Sequence, residues 1–399
     1  MKNKTKINGA DIYIWIYFLY YLQGYLYPTG IINQILIFIF FLWSFFIGFR
    51  YLINIKNKPI IIQATSLLAW MYIFYGLKNI ILPITDFRPP YVYLQSSISS
   101  IFPIFTIYYY LLNKKLSLKK FQFYIVPFII LTILEYFELQ KEMLIEALEK
   151  GSTREEFTNN VGYVFLSLIP LILIIKKPLP KYLCLAVTYF FIILSIKRGA
   201  ILIGALVGLM IIFNDLKYPG KGLKKLQTYI IISTIGFLGS IFVIQFYSES
   251  DYFQKRFENT EQGNASGRDI IYKKILDSYQ TGSLIELNFG KGADSTTLAA
   301  GNYAHDDWLE TLHNNGLLGL LLLLLFYFSM LYEILKLNPF LNHKKKIIFY
   351  TLFCIVFIKT LFSMSILAMS LPLTMMIGYL AYLSYIKISY SGRRIPRLQ

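Results

Sequence analysis

Apolar stretches of bilayer length recur from Ile12 to Ile386, and polar residues are mostly confined to short connections between them. The hydrocarbon core of a bilayer takes about 20 consecutive apolar residues in helical form. No water is available there to satisfy backbone N–H and C=O groups, so such runs must bond internally as helices. The pattern predicts an all-α polytopic membrane protein with about twelve transmembrane helices. They are expected at 11–27, 30–50, 59–82, 91–112, 121–137, 161–176, 181–196, 199–214, 227–247, 315–336, 346–364 and 368–387. Several of these are short for a bilayer, which suits tilted or re-entrant segments. Only 15% of residues are charged, against roughly a quarter in soluble domains. Residues 1–399 therefore read as a single membrane domain.

The net charge of +17 would suggest a nucleic-acid partner in a soluble protein. Here the basic residues sit in alternate short connections, the pattern of the positive-inside rule. With a cytoplasmic N-terminus, the inner segments carry Lys2, Lys4 and Lys6; Arg50, Lys56 and Lys58; Lys114, Lys115, Lys119 and Lys120; Lys176, Lys177 and Lys181. Next come Lys217, Lys221, Lys224 and Lys225; Lys344, Lys345 and Lys346; and finally Lys387, Arg393, Arg394 and Arg397. The other connections are short, neutral or acidic, as with Glu138, Glu142, Glu146, Glu149, Glu155 and Glu156. Both termini are expected in the cytoplasm, and no nucleic-acid partner is expected. The basic start followed by an apolar run resembles a signal peptide, but no small-residue cleavage site follows, so an uncleaved first helix is expected. Cys184 and Cys354 lie inside apolar runs and offer neither a disulfide framework nor a metal-ligand spacing.

Two outer segments exceed simple turns. Residues 138–160 form a short acidic outer loop, expected to be part helix, and residues 248–313 form the main outer loop, expected to contain short helices. Ser266 and Asp269 make a capping-box-like start, and Ile270, Ile271, Ile275, Leu276 and Tyr279 follow at near-helical spacing.

Charges on the outer side depart from the charge rule and so require a reason. Arg198 lies in Ser195-Ile196-Lys197-Arg198-Gly199, Lys359 lies within the eleventh predicted helix, and Lys78 and Arg88 flank the outer end of the third. Charge at membrane depth is costly and marks candidate functional sites, although long side chains also snorkel to the interface. The main loop adds Arg268 in Ser266-Gly267-Arg268 and Lys291 in Gly290-Lys291-Gly292, then His305, Asp306, Asp307 and Glu310 ahead of Gly316-Leu317-Leu318-Gly319. Arginine matches phosphate oxygens bidentately, so this gathering suits an anionic substrate. Gly-Lys-Gly lacks the phosphate-loop pattern. His305, beside two aspartates, suits catalysis or phosphate binding; His313 reads as an interfacial residue. Asp306, Asp307 and Glu310 could hold a cation on a diphosphate. They are equally the carboxylates that a helix N-terminus favours. Arg and Lys neighbours can neutralise a diphosphate unaided, so no metal or other cofactor is expected.

The order of these motifs is Ser-x-x-Arg-Gly between two helices, Ser-Gly-Arg opening a loop helix, Gly-x-Gly, His in the loop, and Gly-Leu-Leu-Gly entering a long apolar helix. Over about 195–325 it resembles the bacterial O-antigen polymerase and O-antigen ligase superfamily. The resemblance implies a GT-C-like membrane glycosyltransferase of the bacterial inner membrane, with its active site on the periplasmic side. Its substrate would be an oligosaccharide on undecaprenyl diphosphate, with membrane lipid around it and a chain-length regulator and a flippase as partners. Arg198 and Arg268 then correspond to the family's outer arginines and His305 to its loop histidine. His305 or Glu310 would take the acceptor proton, while Lys291, Lys359, Arg88, Lys78, Asp306 and Asp307 would line the substrate. The family often has His-Asn where this chain has His305-Asp306. The resemblance implies a repeat-unit polymerase for O-antigen, capsule or exopolysaccharide; the alternatives are a ligase to lipid A–core and a lipid-linked oligosaccharide flippase.

Overall fold

The computed structural model describes residues 7–26, 30–85, 87–149, 157–219, 222–261 and 267–390. Of the residues named above, Lys2, Lys4, Lys6, Glu155, Glu156, Lys221, Ser266, Arg393, Arg394 and Arg397 lie outside them, so the Ser266 half of the predicted capping box does too.

Among the described residues the chain is all-helical, with no strand. In order the helices are α1 (Gly9–Leu26), α2 (Ile31–Ile53), α3 (Ile60–Ile81), α4 (Tyr91–Leu112), α5 (Leu118–Glu149), α6 (Gly162–Ile172), α7 (Pro178–Leu194) and α8 (Arg198–Lys217). There follow α9 (Leu223–Glu249), α10 (Asp251–Glu261), α11 (Arg268–Gln280), α12 (Leu284–Phe289), α13 (Ser295–Ala300), α14 (Asp307–Leu337), α15 (His343–Lys359) and α16 (Leu371–Tyr390). Among the described residues seven stretches are long and apolar enough to cross a membrane: α2, α3, α5, α8, most of α9, α14 and α16. Helices α6 and α7 are apolar but shorter.

Each apolar run lies in a helix, with instructive differences at the ends. Helix α5 continues through the acidic stretch to Glu149, because Glu-Leu-Gln-Lys-Glu-Met-Leu-Ile-Glu-Ala-Leu-Glu is composed of strong helix formers. Helix α15 stops at Lys359, which places that lysine at a helix end and buried. Helix α14 starts at Asp307 and breaks at Gly316 (φ 69°, ψ −169°), within the predicted Gly-Leu-Leu-Gly motif.

The chain forms two compact units, each discontinuous in sequence. The first comprises Met1–Phe121, Ile270–Leu341 and Thr360–Gln399; the second comprises Gln122–Asp269 and Asn342–Lys359. In the first unit α4 packs against α2, α3 and α16. Although not among the apolar spans, it buries Ser97, Ser100 and Thr106. Enclosure by other helices explains this polarity, because α4 is shielded from lipid on these sides. Each enclosing helix approaches closely at a glycine. A Cβ on Gly48 would lie 2.4 Å from Phe102, one on Gly76 2.8 Å from Leu94, and one on Gly378 3.0 Å from Ile107. Small residues at such contacts permit the close backbone approach on which helix packing in lipid relies. In the second unit α6 packs against α7 and α15, α15 against α8, and α7 against α9.

Candidate functional site

Sequence-predicted site residues occur in both units, and each unit builds its own cluster.

In the second unit, α7 ends at Leu194 and the chain turns through Ser195, Ile196 and Lys197 into α8, whose first residue is Arg198. Ile196 adopts φ 49° while buried. A β-branched residue in the left-handed region is strained, at a cost of order 1–3 kcal/mol, and such strain concentrates at functional sites. The turn is over-determined by its neighbours. Ser195 accepts at its backbone O from Asn159 N–H (2.8 Å), its hydroxyl donates to Ile192 O (2.6 Å), and Lys197 N–H donates to Ser195 Oγ (3.3 Å). A Cβ on Gly162 would lie 2.3 Å from that Oγ, so α6 is pressed directly against the turn.

The cations delivered by this turn meet others at Tyr163 on α6. Lys197 Nζ stands 5.8 Å from the Tyr163 ring centroid and Lys359 Nζ stands 5.6 Å from it. Arg268, the first residue of α11, acts electrostatically on the same tyrosine. Both ammonium groups are within the ~6 Å range of cation–π attraction. Two ammonium groups beside one aromatic, with a guanidinium acting on it electrostatically, favour an anion, while the ring supplies partial compensation. Arg198 follows Lys197 directly and is half-buried.

The first unit builds a buried polar network from the main loop and the start of α14. Arg88 donates to Asp294 through Nε (2.7 Å) and Nη2 (2.6 Å), a bidentate pair. The guanidinium stands near Tyr93 and Tyr303 (5.7 and 5.6 Å to the centroids). Burial opposes the Arg88 charge, but the Asp294 hydrogen bond and charge outweigh it and hold the guanidinium's pKa above its ordinary value. Glu310 is buried; it accepts from Thr296 Oγ1 (2.7 Å), Ala304 N–H (2.5 Å) and Asn314 Nδ2 (3.2 Å). Asp306 caps α14 by accepting from Leu309 N–H (2.9 Å). Asp307 accepts from the backbone N–H groups of Ser365 and Ile366. The three carboxylates of the Asp-Asp-x-x-Glu motif thus serve three different partners, and among the described residues no His, Cys, Asp and Glu group is arranged to hold a metal ion. His305 lies immediately before the Asp306 cap in a left-handed conformation (φ 55°).

His313, expected at the interface, is buried instead. The Ser295 hydroxyl donates to Asn314 Oδ1 (2.9 Å), so in the 2.8 Å contact between Ser295 Oγ and His313 Nδ1 the ring supplies the proton. Nε2 is then the acceptor for the Ser278 hydroxyl at 3.1 Å. Lys291 completes the chain, donating to Ser278 O (2.6 Å) and Oγ (3.1 Å). The Gly-Lys-Gly segment pairs by backbone with the break in α14, Lys291 N–H donating to His313 O (3.0 Å) and Gly292 N–H to Asn314 O (2.9 Å). Lys78 Nζ lies 3.9 Å from the point where a Cβ on Gly292 would stand.

The second unit therefore brings Lys359 and Arg268 together at Tyr163, beside the turn that carries Arg198. The first unit brings together Lys291 and Glu310 with His313, and pairs Arg88 with Asp294. Sequence reasoning missed Tyr163, Lys197, Ser278, Asp294, Ser295, His313 and Asn314. The one available signal was that Lys197 adjoins Arg198. Among the described residues, an all-helical chain with seven helices long and apolar enough to cross a membrane has the make-up of a helical membrane protein. The chain matches no family model, no curated protein and no solved structure.

Proposed function

We propose that the chain is a GT-C-like membrane glycosyltransferase that polymerises lipid-linked oligosaccharide repeat units, with about twelve spans, both termini cytoplasmic and its active site on the periplasmic face of a bacterial inner membrane. The observation that carries this reading is the convergence of Lys197, Lys359 and Arg268 on Tyr163, next to the strained turn presenting Arg198. Such a cluster suits the diphosphate of an undecaprenyl-linked glycan, and the motif order supports the same donor.

In this mechanism Arg198 and Arg268 hold the diphosphate, and Lys359 adds charge. The acceptor sugar hydroxyl attacks the anomeric carbon of the growing glycan. The new glycosidic C–O bond forms as the bond to the phosphate oxygen breaks, and undecaprenyl diphosphate departs with the electron pair. The arginines stabilise charge that grows on the leaving group, which is where fixed donors accelerate a reaction most. The acceptor's hydroxyl proton passes to water. In the first unit the Glu310 carboxylate accepts from the backbone N–H of Ala304, the residue before His305.

A deletion strain tests the proposal. Loss of the polymer ladder, with single repeat units left on the lipid carrier, supports it; long polymer retained on the carrier identifies a ligase; units trapped on the inner face identify a flippase. Complementation with Arg198→Lys, which keeps charge but loses bidentate geometry, should give little polymer. Full-length polymer from a normally inserted Arg198→Ala variant refutes the role of that arginine.

A further inference from the structure

The opposite end of α8, about 30 Å from Arg198 at 1.5 Å per residue, bears a second basic site that the proposed reaction does not use. A cavity of about 80 Å³ is lined there by Lys176, Lys181 and Lys344, with Asp215, Tyr218 and Thr228. That volume admits several waters.

Its electrostatics are unbalanced. Among the described lining residues Asp215 is the sole carboxylate, and it is engaged by Lys181 and by the Tyr182 hydroxyl (2.5 Å). Lys176 and Lys344 also line the cavity. Two helices begin at it with basic first turns. Helix α7 opens Pro-Leu-Pro-Lys181 after Lys177, without a side-chain cap, and α15 opens His-Lys344-Lys345-Lys346, with no acid in its first turn. Cations at a helix N-terminus oppose the macrodipole. Burial, and then the charge of Lys176, lower the pKa of the neighbouring Lys345 ammonium below its ordinary value. Positive-inside bias accounts for lysines in each connection, but not for bringing those of two connections to one cavity.

The surroundings indicate the source of an anion. Tyr218 and Pro219 directly follow α8, and Thr228 lies near the start of the α9 span, so the cavity sits level with the ends of two apolar spans. Leu173, Ile175 and Ile347 form part of its wall.

We propose that this cavity binds the phosphate of an anionic phospholipid headgroup, with Lys176 and Lys344 as its principal ligands. Basic pockets between helices at the membrane surface are suited to such headgroups.

The test uses the full chain in nanodiscs of phosphatidylcholine with phosphatidylglycerol, released into the gas phase for native mass spectrometry. Wild type should retain phosphatidylglycerol. A Lys176→Gln/Lys344→Gln variant should retain about tenfold less, equivalent to about 1.4 kcal/mol. Lys114→Gln/Lys115→Gln, altering a basic connection in the other unit, should match wild type. In pure phosphatidylcholine discs the Lys176/Lys344 variant should be at least as heat-stable as wild type, because like charges have been removed; this distinguishes lost binding from misfolding. Lys176→Arg/Lys344→Arg should retain the lipid. Equal retention by wild type and the glutamine variant, or equal loss in the Lys114/Lys115 control, overturns the site. Displacement of the lipid by millimolar inorganic phosphate would assign the same phosphate chemistry to a soluble ligand and overturn the lipid assignment.

Discussion

Gly316→Ala should open the junction between the Gly-Lys-Gly segment and α14. Gly316 adopts φ 69°, ψ −169°, a region essentially reserved for glycine, where another residue costs of order 1–3 kcal/mol. A Cβ there would stand 2.4 Å from the backbone carbon of Asn288 and the backbone nitrogen of Gly290. Backbone on both sides leaves no flexible side chain to yield, so the segments must separate. Separation breaks the bonds from Lys291 N–H to His313 O and from Gly292 N–H to Asn314 O, each contributing about 1 kcal/mol net. The sum is about 3–5 kcal/mol of local stability, or two orders of magnitude or more in the opening equilibrium at 1.4 kcal/mol per decade. Hydrogen exchange on the detergent-purified protein reads this directly at the Lys291 and Gly292 amides. Gly236→Ala is the control. It lies inside α9 with no atom within 4 Å of its added Cβ, and should be neutral or stabilising by up to about 1 kcal/mol. Unchanged protection at Lys291 and Gly292 in Gly316→Ala would refute the reasoning.

Arg88→Ala strands the buried Asp294 carboxylate and should cost about 3–5 kcal/mol, whereas Arg88→Ala/Asp294→Ala should cost clearly less; a thermal-unfolding cycle with no coupling between the two sites would contradict the bidentate pair. Gly48→Ala places a Cβ 2.4 Å from Phe102 and should destabilise the α2–α4 contact by about 1–3 kcal/mol, seen as a lowered unfolding temperature. Glu286 closes a capping box on α12 with Ser283, and hydrogen bonds from the Ser283 backbone and hydroxyl lower its pKa. A depressed carboxylate contributes stability above its unfolded pKa, lost as pH falls through the folded pKa. Amide protection in α12, corrected for intrinsic exchange, should therefore fall under acid conditions in wild type, and Glu286→Gln should remove that dependence.

The sequence by itself determined where the helices lie, because an apolar run of bilayer length has no other way to satisfy its backbone. Gly-Leu-Leu-Gly read as the entry to a helix at 315–336, whereas α14 already starts at Asp307 and breaks at Gly316. Side-chain partnerships were not legible in the sequence. Arg88 and Asp294 are 206 residues apart, and no local pattern records which charges will pair across such a distance. His313 looked interfacial because it adjoins an apolar run; only the docking of α11 and α13 on α14 supplied Ser278 and Ser295 and so made its burial affordable. The polarity of α4 likewise makes sense only once α2, α3 and α16 surround it. Helix formation in an apolar medium is a local requirement of the backbone, whereas pairing of buried polar groups is settled by which helices pack together, and that is decided only in the tertiary structure.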